Sequence, residues 1–374
     1  VKIESVESIL FGGAHFVRLT CDNGLQGIGQ SGCWAYPEAV HAVVGTFEKY
    51  LHGNDPTRTE HYGQYFHRLG SFRGAAVSAA ISAIDIALWD IKGKHLDVPV
   101  WQLLGGRYRD KIRLYVIVHG NTAEELASRA QSAVADGFTA VKMDPLCPGY
   151  QDLPGALLAK TVVDCVAAVR ETIGYETDLM CEFHRKLTPM QFVPIADELA
   201  KFRLAFLEDG VQTDSIASQA ALAKRVATPL AFGERLTSIW EFRELLEESG
   251  GVVCRPDIGL AGGITEVKKI CAIAESFHSY VCTHNFQGPL LTAAAAHIDT
   301  VIPNFVIQEY SYIDEGPVRA AFPGSLERVG GFLKVPNLPG LGIELREDVE
   351  VNIAPTLHIL DQALRSDGSV ASAV

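Results

Sequence analysis

Three segments decide the fold: Thr177-Asp178-Leu179-Met180-Cys181-Glu182, Leu204-Ala205-Phe206-Leu207-Glu208 and Pro229-Leu230-Ala231-Phe232-Gly233-Glu234. Each is an apolar run closed by a glutamate, and the glutamates follow one another at equal steps of 26 residues. A short strand, a turn, a helix and a return loop consume about that much chain, so the spacing reads as one β/α unit repeated. The series continues. Asp257 closes Gly251-Val252-Val253-Cys254-Arg255-Pro256 after 23 residues, His284 closes Ser279-Tyr280-Val281-Cys282-Thr283 after 27, and Glu309 closes Asn304-Phe305-Val306-Ile307-Gln308 after 25. Upstream, Phe138-Thr139-Ala140-Val141-Lys142 makes another such strand, with Lys142 and Asp144 at its exit. A single glutamate after a strand is more often a helix N-cap or a surface carboxylate. Repetition in register decides otherwise. In a (β/α)8 barrel the C-terminal strand ends converge on one face, so three carboxylates meet there and call for a cation.

The chain has 374 residues, more than a single barrel of roughly 250 residues needs, and a further domain is expected. With 48% hydrophobic and 21% charged residues it can bury a large core. The formal net charge of −13 argues against non-specific nucleic-acid binding. An acidic protein that takes an anionic substrate needs local positive charge, which a bound divalent metal supplies. The eight cysteines form no C-x-x-C pair and no zinc spacing, the usage of a reducing compartment. The N-terminus shows no basic stretch leading into an apolar one, and no apolar run reaches the ~18 residues of a membrane span. The expectation is a cytoplasmic protein without membrane contact.

Residues 1–112 do not follow the β/α step. Ile3–Leu10 and His15–Thr20 alternate as strands, and Asn23-Gly24-Leu25-Gln26-Gly27 reads as a hairpin turn before a third. Helical patterns follow at Pro37–Leu51 and Ala75–Lys94, the second rich in Ala, Ile and Leu as a buried helix would be. Together these predict a small α+β capping domain over 1–112 and a barrel over 113–320. The remainder, 321–374, is expected to return to the first domain, with Gly330–Pro336 as a β extension and a frayed tail from Arg365 to Val374.

Asp85-Ile86-Ala87-Leu88-Trp89-Asp90-Ile91-Lys92-Gly93-Lys94, Pro99-Val100-Trp101-Gln102-Leu103-Leu104-Gly105-Gly106, Glu182-Phe183-His184, Gly233-Glu234-Arg235, Pro256-Asp257, Gly262-Gly263-Ile264-Thr265-Glu266 and the His284 strand end carry a family resemblance. The chain resembles the mandelate racemase branch of the enolase superfamily, and within it the sugar-acid dehydratases of the galactonate and mannonate type. The resemblance covers nearly the whole chain. It implies an α/β fold, a modified (β/α)8 barrel under an N-terminal α+β cap, and one Mg²⁺ held by Glu182, Glu208 and Glu234. Enolase-superfamily sites pair a Lys or His base with Mg²⁺ that stabilises an ene-diolate, so that chemistry comes with the resemblance. Oxygen-only ligation suits a hard cation and argues against zinc.

The resemblance further implies His284 and Asp257 as the acid/base dyad acting at C2, and His184 as the donor to a departing 3-hydroxyl. On the residues alone, a carboxylate one strand away from His284 can orient its imidazole. Strand alternation would put His184 on the same side as Glu182. Glu309 either binds substrate hydroxyls or is structural. Lys142 either lines the pocket near the substrate carboxylate or is a solvated lysine paired with a metal-ligand glutamate, and Asp144 stands beside it as a substrate-binding candidate. Trp34, Tyr36, Phe72 and Arg73 are candidates to close the pocket from the cap, with Trp34 and Tyr36 equally readable as cap core.

Four departures from the family pattern stand out. Glu182 replaces the usual Asp, and Lys142-Met143-Asp144 lacks the second lysine of the racemases. Asp209-Gly210 follows Glu208 where Glu-Pro is common, and Asn285-Phe286-Gln287-Gly288-Pro289 follows His284. Tyr150 keeps open the tyrosine base of the mannonate type. The expected activity is dehydration of an aldonate such as galactonate, mannonate or gluconate to a 2-keto-3-deoxy acid. The alternatives are a racemase, epimerase or cycloisomerase of a hydroxy acid, and a low-activity binding or regulatory barrel. The expected partners are a small sugar acid and further copies of the chain in a homo-oligomer.

Overall fold

The computed structural model describes residues 1–349 and 364–371. An antiparallel three-stranded sheet opens the chain: β1 (Ile3–Phe11), β2 (Ala14–Cys21) and β3 (Gln26–Gln30). Helices α1 (Pro37–Leu51), α2 (Thr59–Arg68), α3 (Ala75–His95) and the short α4 (Val100–Leu103) complete this part. Helix α3 is buried along almost its whole length, which accounts for its Ala-rich, weakly amphipathic sequence. It lies against β3 because Gly27 and Gly29 carry no side chain there. A Cβ on either would fall 2.2 Å or less from the carbonyl oxygens of Ala87 and Ala83.

From β4 (Lys111–Val118) the alternation begins: α5 (Ala123–Ala135), β5 (Ala140–Met143), α6 (Gly155–Ile173), β6 (Asp178–Glu182), α7 (Pro189–Leu199), β7 (Leu207–Glu208), α8 (Ile216–Ala223), β8 (Leu230–Phe232), α9 (Ile239–Ser249), β9 (Val253–Cys254), α10 (Gly263–Ser276), α11 (Pro289–Val301) and β10 (Gln308–Tyr310). Strands β4 to β9 pair in parallel, each with its sequence neighbour. The seventh position is filled by the segment at Val281–His284. Val281 bridges Cys254 on one side and Phe305 on the other, and His284 bridges Asp257. Strand β10 pairs with β4 and closes the ring. Among the described residues, eight strand positions are joined by seven helices, and β10 leads into 3₁₀ turns at Tyr312–Glu315 and Pro317–Ala321.

One buried apolar residue from each strand position forms a band inside the barrel: Tyr115, Ala140, Met180, Phe206, Ala231, Val253, Cys282 and Ile307. Large and small residues are mixed around the ring, which lets the layer fill the interior.

The segment after the barrel differs from its expected place. Residues 330–336 do not extend the cap sheet; β12 (Phe332–Lys334), paired with β11 (Arg328–Val329), runs antiparallel to β4 over Lys111–Arg113. Strand β10 pairs only with Leu114–Val116 of β4, so the first residues of that strand have open backbone groups for β12 to satisfy. The chain then reaches the cap through loop contacts. Trp101 Nε1 donates to the Pro336 carbonyl at 2.6 Å, and Leu341 N donates to Asp90 Oδ1 at 2.8 Å. Within the stretch expected to fray, Ser366 donates to Asp152 from both its backbone N and its hydroxyl. Residues 372–374 lie outside the described residues.

Candidate active site

Alternation along the strands sets the charged layer directly above the apolar band. Two residues beyond Ala140, Met180, Phe206, Val253, Cys282 and Ile307 stand Lys142, Glu182, Glu208, Arg255, His284 and Glu309, all buried. Strand β8 breaks the rule because Ala231 is followed two places on by Gly233. Its φ of +126° turns the chain so that Glu234, one residue later, joins the group. A side chain at 233 would also meet the Phe242 ring at 2.6 Å.

Glu182, Glu208 and Glu234 bring carboxylate oxygens within 4.8 Å of one another. Bonds of about 2.1 Å to Mg²⁺ put opposite ligands of one ion about 4.2 Å apart, so the cluster needs only small side-chain shifts to hold such a cation. Around them seven carboxylates (Asp144, Glu182, Glu208, Asp209, Glu234, Asp257, Glu309) outnumber five lysine and arginine cations (Lys142, Arg185, Lys186, Arg235, Arg255), a setting that favours a bound cation.

Lys142 Nζ lies 3.0 Å from Glu182, 2.8 Å from Glu208 and 3.3 Å from Glu309. The lysine is therefore buried rather than solvated, and it does pair with the candidate ligands. Burial opposes its charge, yet Glu208 and Glu309 hold its ammonium well above the ordinary lysine value. Arg255 bonds Glu208 through Nε, and its Nη2 lies 2.7 Å from Glu309. Both cations sit over the Tyr115 ring, at 5.2 and 5.7 Å from its centroid. Burial would raise the Glu234 carboxyl, but Arg185, His284 and Arg235 keep it well below the usual carboxylate range.

Two imidazole–carboxylate pairs flank the cluster. His284 Nδ1 is 2.7 Å from Asp257 Oδ2, and its Nε2 is 3.5 Å from Glu234. An ionised carboxylate only accepts, so Nδ1 carries the proton of that bond and Nε2 faces the cluster. Burial disfavours the charged imidazole, while Glu234 and the Asp257 bond outweigh it and raise His284 above the ordinary histidine value. On the other flank His184 Nδ1 is 2.9 Å from Asp144 Oδ2, which also accepts from Lys186 at 2.7 Å.

His184 does not arrive by simple alternation, because β6 ends at Glu182 and His184 and Arg185 both take left-handed φ, +47° and +63°. That turn lets the His184 N–H reach Glu182 Oε1 at 2.9 Å and sends Arg185 inward. Arg185 Nη1 is 2.6 Å from both Asp209 Oδ2 and Glu234 Oε1. Asp209, noted as a departure, is thus the partner of a cation that motif reading passed over. Arg255 was also passed over. Its signal was present, since it stands directly after β9 and two residues before Asp257.

From the cap, Trp34 reaches the site: it lies edge-on to Phe286 at 6.0 Å, and Phe286 is 5.5 Å from the His284 ring. Arg235 sits over Trp34 at 5.4 Å. Tyr36 is exposed at the start of α1 and is not cap core. Arg73 does not join the cluster; its guanidinium covers Trp240, in a separate cleft of about 440 Å³ that Phe72 also lines. Tyr150 stays at the rim, where Lys186 Nζ is 5.8 Å from its ring centre. Glu309 is occupied by Lys142, Arg255 and the Asn285 N–H.

Comparison with known proteins agrees with this architecture. Residues 9–105 match the mandelate racemase / muconate lactonizing enzyme N-terminal domain, and residues 125–349 match the enolase C-terminal domain-like family. A Salmonella enterica serovar Typhimurium protein named "putative dehydratase protein" superposes with a TM-score of 0.88 at 33% identity, covering 93% of this chain and 97% of that one. An Agrobacterium radiobacter enolase named "putative galactarate dehydratase", with bound sodium and L-malate, gives 0.91 at 27% identity over 100% of both chains. A mandelate racemase/muconate lactonizing enzyme from Jannaschia sp. CCS1 gives 0.85 at 30% identity, covering 93% and 96%. Enzymes of this superfamily bind a divalent metal, as the buried glutamate triad can. The chain is an enzyme of the enolase superfamily, on its mandelate racemase branch.

Proposed function

We propose that this enzyme is a Mg²⁺-dependent dehydratase of a sugar acid, an aldonate such as galactonate, mannonate or gluconate, giving a 2-keto-3-deoxy acid. The observation that carries the reading is the order of groups around the barrel mouth. Asp144 and His184 lie on one side of the three glutamates, and Asp257 and His284 on the other. Glu182, Glu208 and Glu234 would hold the cation, which when bound offsets the negative charge that develops on the substrate carboxylate. His284 Nε2, with Asp257 fixing its tautomer, removes the C2 proton. His184, held through Nδ1 by Asp144, turns its other nitrogen to the leaving C3 hydroxyl and donates a proton. Lys142 and Arg255 keep Glu208 and Glu309 in place beneath the substrate.

The position two residues past Lys142, a second lysine in the related racemases, here supports the first histidine instead, which favours elimination over inversion. The relatives named as dehydratases support the same class, and the one named for galactarate adds aldaric acids to the substrates worth screening. All eight cysteines are unpaired, which supports a reducing, cytoplasmic setting.

The test uses aldonic and aldaric acids with Mg²⁺ in D₂O. His284→Asn should lose turnover and C2 exchange together, whereas His184→Asn should lose dehydration and retain C2 exchange. Recovery of C2-inverted, deuterated substrate without keto acid would establish a racemase instead.

A further inference from the structure

One pair of groups near the site has no part in that chemistry. Cys147 Sγ and Cys165 Sγ are 3.5 Å apart, the first on the loop that leaves β5 and the second inside helix α6. Cys147 is half-buried, while the other seven cysteines are buried. The structure thus sets one reachable thiol against one shielded thiol, the arrangement of an attacking and a resolving cysteine.

We propose that Cys147 and Cys165 form a redox modification site that a hydroperoxide closes to a disulfide, and that the closure acts on the loop carrying Asp144 and Tyr150. The Cys147 sulfur, as thiolate, attacks the outer peroxide oxygen. The O–O bond breaks, the alkoxide or hydroxide leaves and takes up a proton, and Cys147 becomes a sulfenic acid. The Cys165 sulfur then attacks the Cys147 sulfur. The S–O bond breaks, the departing hydroxide takes the Cys165 proton as water, and the S–S bond forms. Two thiols lose two electrons and the peroxide gains them. Burial, then the neighbouring Cys147, pushes the Cys165 thiol up to about 12, so Cys165 is not the thiol that meets the peroxide first.

A disulfide needs sulfurs about 2.05 Å apart, so the two side chains must close by roughly 1.5 Å, by turning about χ1 and by drawing the loop toward the helix. The share that falls on the loop meets a stiff segment. Cys147 lies between Pro145 and Pro148, whose rings fix φ. Asp144 is tied to Leu146 N through Oδ1 and to His184 and Lys186 through Oδ2. Movement of Cys147 is therefore passed to the carboxylate that holds His184.

The experiment treats the native, full-length protein with hydrogen peroxide, alkylates free thiols and digests it without reductant for mass spectrometry. The expected result is a linked peptide pair containing Cys147 and Cys165, reversed by dithiothreitol. Cys165→Ser should trap a dimedone-reactive sulfenic acid on Cys147, and Cys147→Ser should give no link. Hydrogen exchange over 140–150 should change on oxidation of the wild type and not of Cys147→Ser. Oxidation of Cys147 directly to sulfinic acid without the link, a link formed only in denaturant, or unchanged exchange in the linked protein would each overturn the proposal. None of these readouts depends on the substrate assignment.

Discussion

Arg185 is the residue on which most of the local charge balance turns. It is buried, answers both Asp209 and Glu234, and takes a left-handed backbone conformation that an arginine rarely adopts. Replacing it with Met leaves Asp209 buried without a counter-charge. The expected loss of unfolding free energy in urea is about 3–5 kcal/mol, with part of it recovered in Arg185→Met/Asp209→Asn. A double variant as unstable as the single one would show that the pair is not coupled. The candidate residues whose clustering was legible in the sequence are those at the exits of apolar runs: Lys142, Glu182, Glu208, His284 and Glu309. Arg185 was not, because it lies past the end of β6 on a turn where period-2 reasoning fails. Arg73 misled for a related cause. A cation in a cap loop has no periodicity to fix its direction, and this one went to Trp240.

Among the elements, β8 depends most on one position. Gly233 combines φ of +126° with a Phe242 ring where a Cβ would be. Gly233→Ala should cost about 1–3 kcal/mol from the backbone alone. It should also turn Glu234 away from its partners, so Mg²⁺ affinity by calorimetry should fall together with the urea midpoint. Loss of stability with unchanged Mg²⁺ affinity would separate Glu234 from the metal. The β/α step made most barrel elements readable in advance and helical patterning did the same for α1 and α3, whereas the segment Gly330–Pro336, which holds β12, was expected in the wrong sheet. The short, Gly-flanked strands β11 and β12 carry no burial pattern that distinguishes the edge of the cap sheet from the open start of β4.

Across the whole molecule, cap and barrel are joined where α3 meets α10. Asp85 accepts from Thr265 through its N–H at 3.0 Å and its hydroxyl at 2.5 Å, Trp89 Nε1 donates to the same hydroxyl, and Gly262 N donates to Ser82. Burial raises the Asp85 carboxyl from 3.8 to about 7, against the pull of the Thr265 bonds. The folded protein therefore keeps a proton that the unfolded chain releases, and the associated stability is complete below 3.8 and lost as pH rises through about 7. Asp85→Asn should flatten the fall of the urea midpoint across that window without abolishing it, since Asp90, raised to about 6, acts in the same sense. An unaltered pH slope in the variant would mean that Asp85 is ionised throughout. The motif residues Asp85, Trp89, Gly262 and Thr265 thus hold two domains together, although sequence alone offered them only as signs of kinship. The apolar band of eight side chains across the barrel has a consequence for traffic. It gives the charged layer a floor, so under the function proposed above substrate and product share the open side of the barrel, toward Trp34. On that proposal, accumulated product competes with its own precursor for the same place.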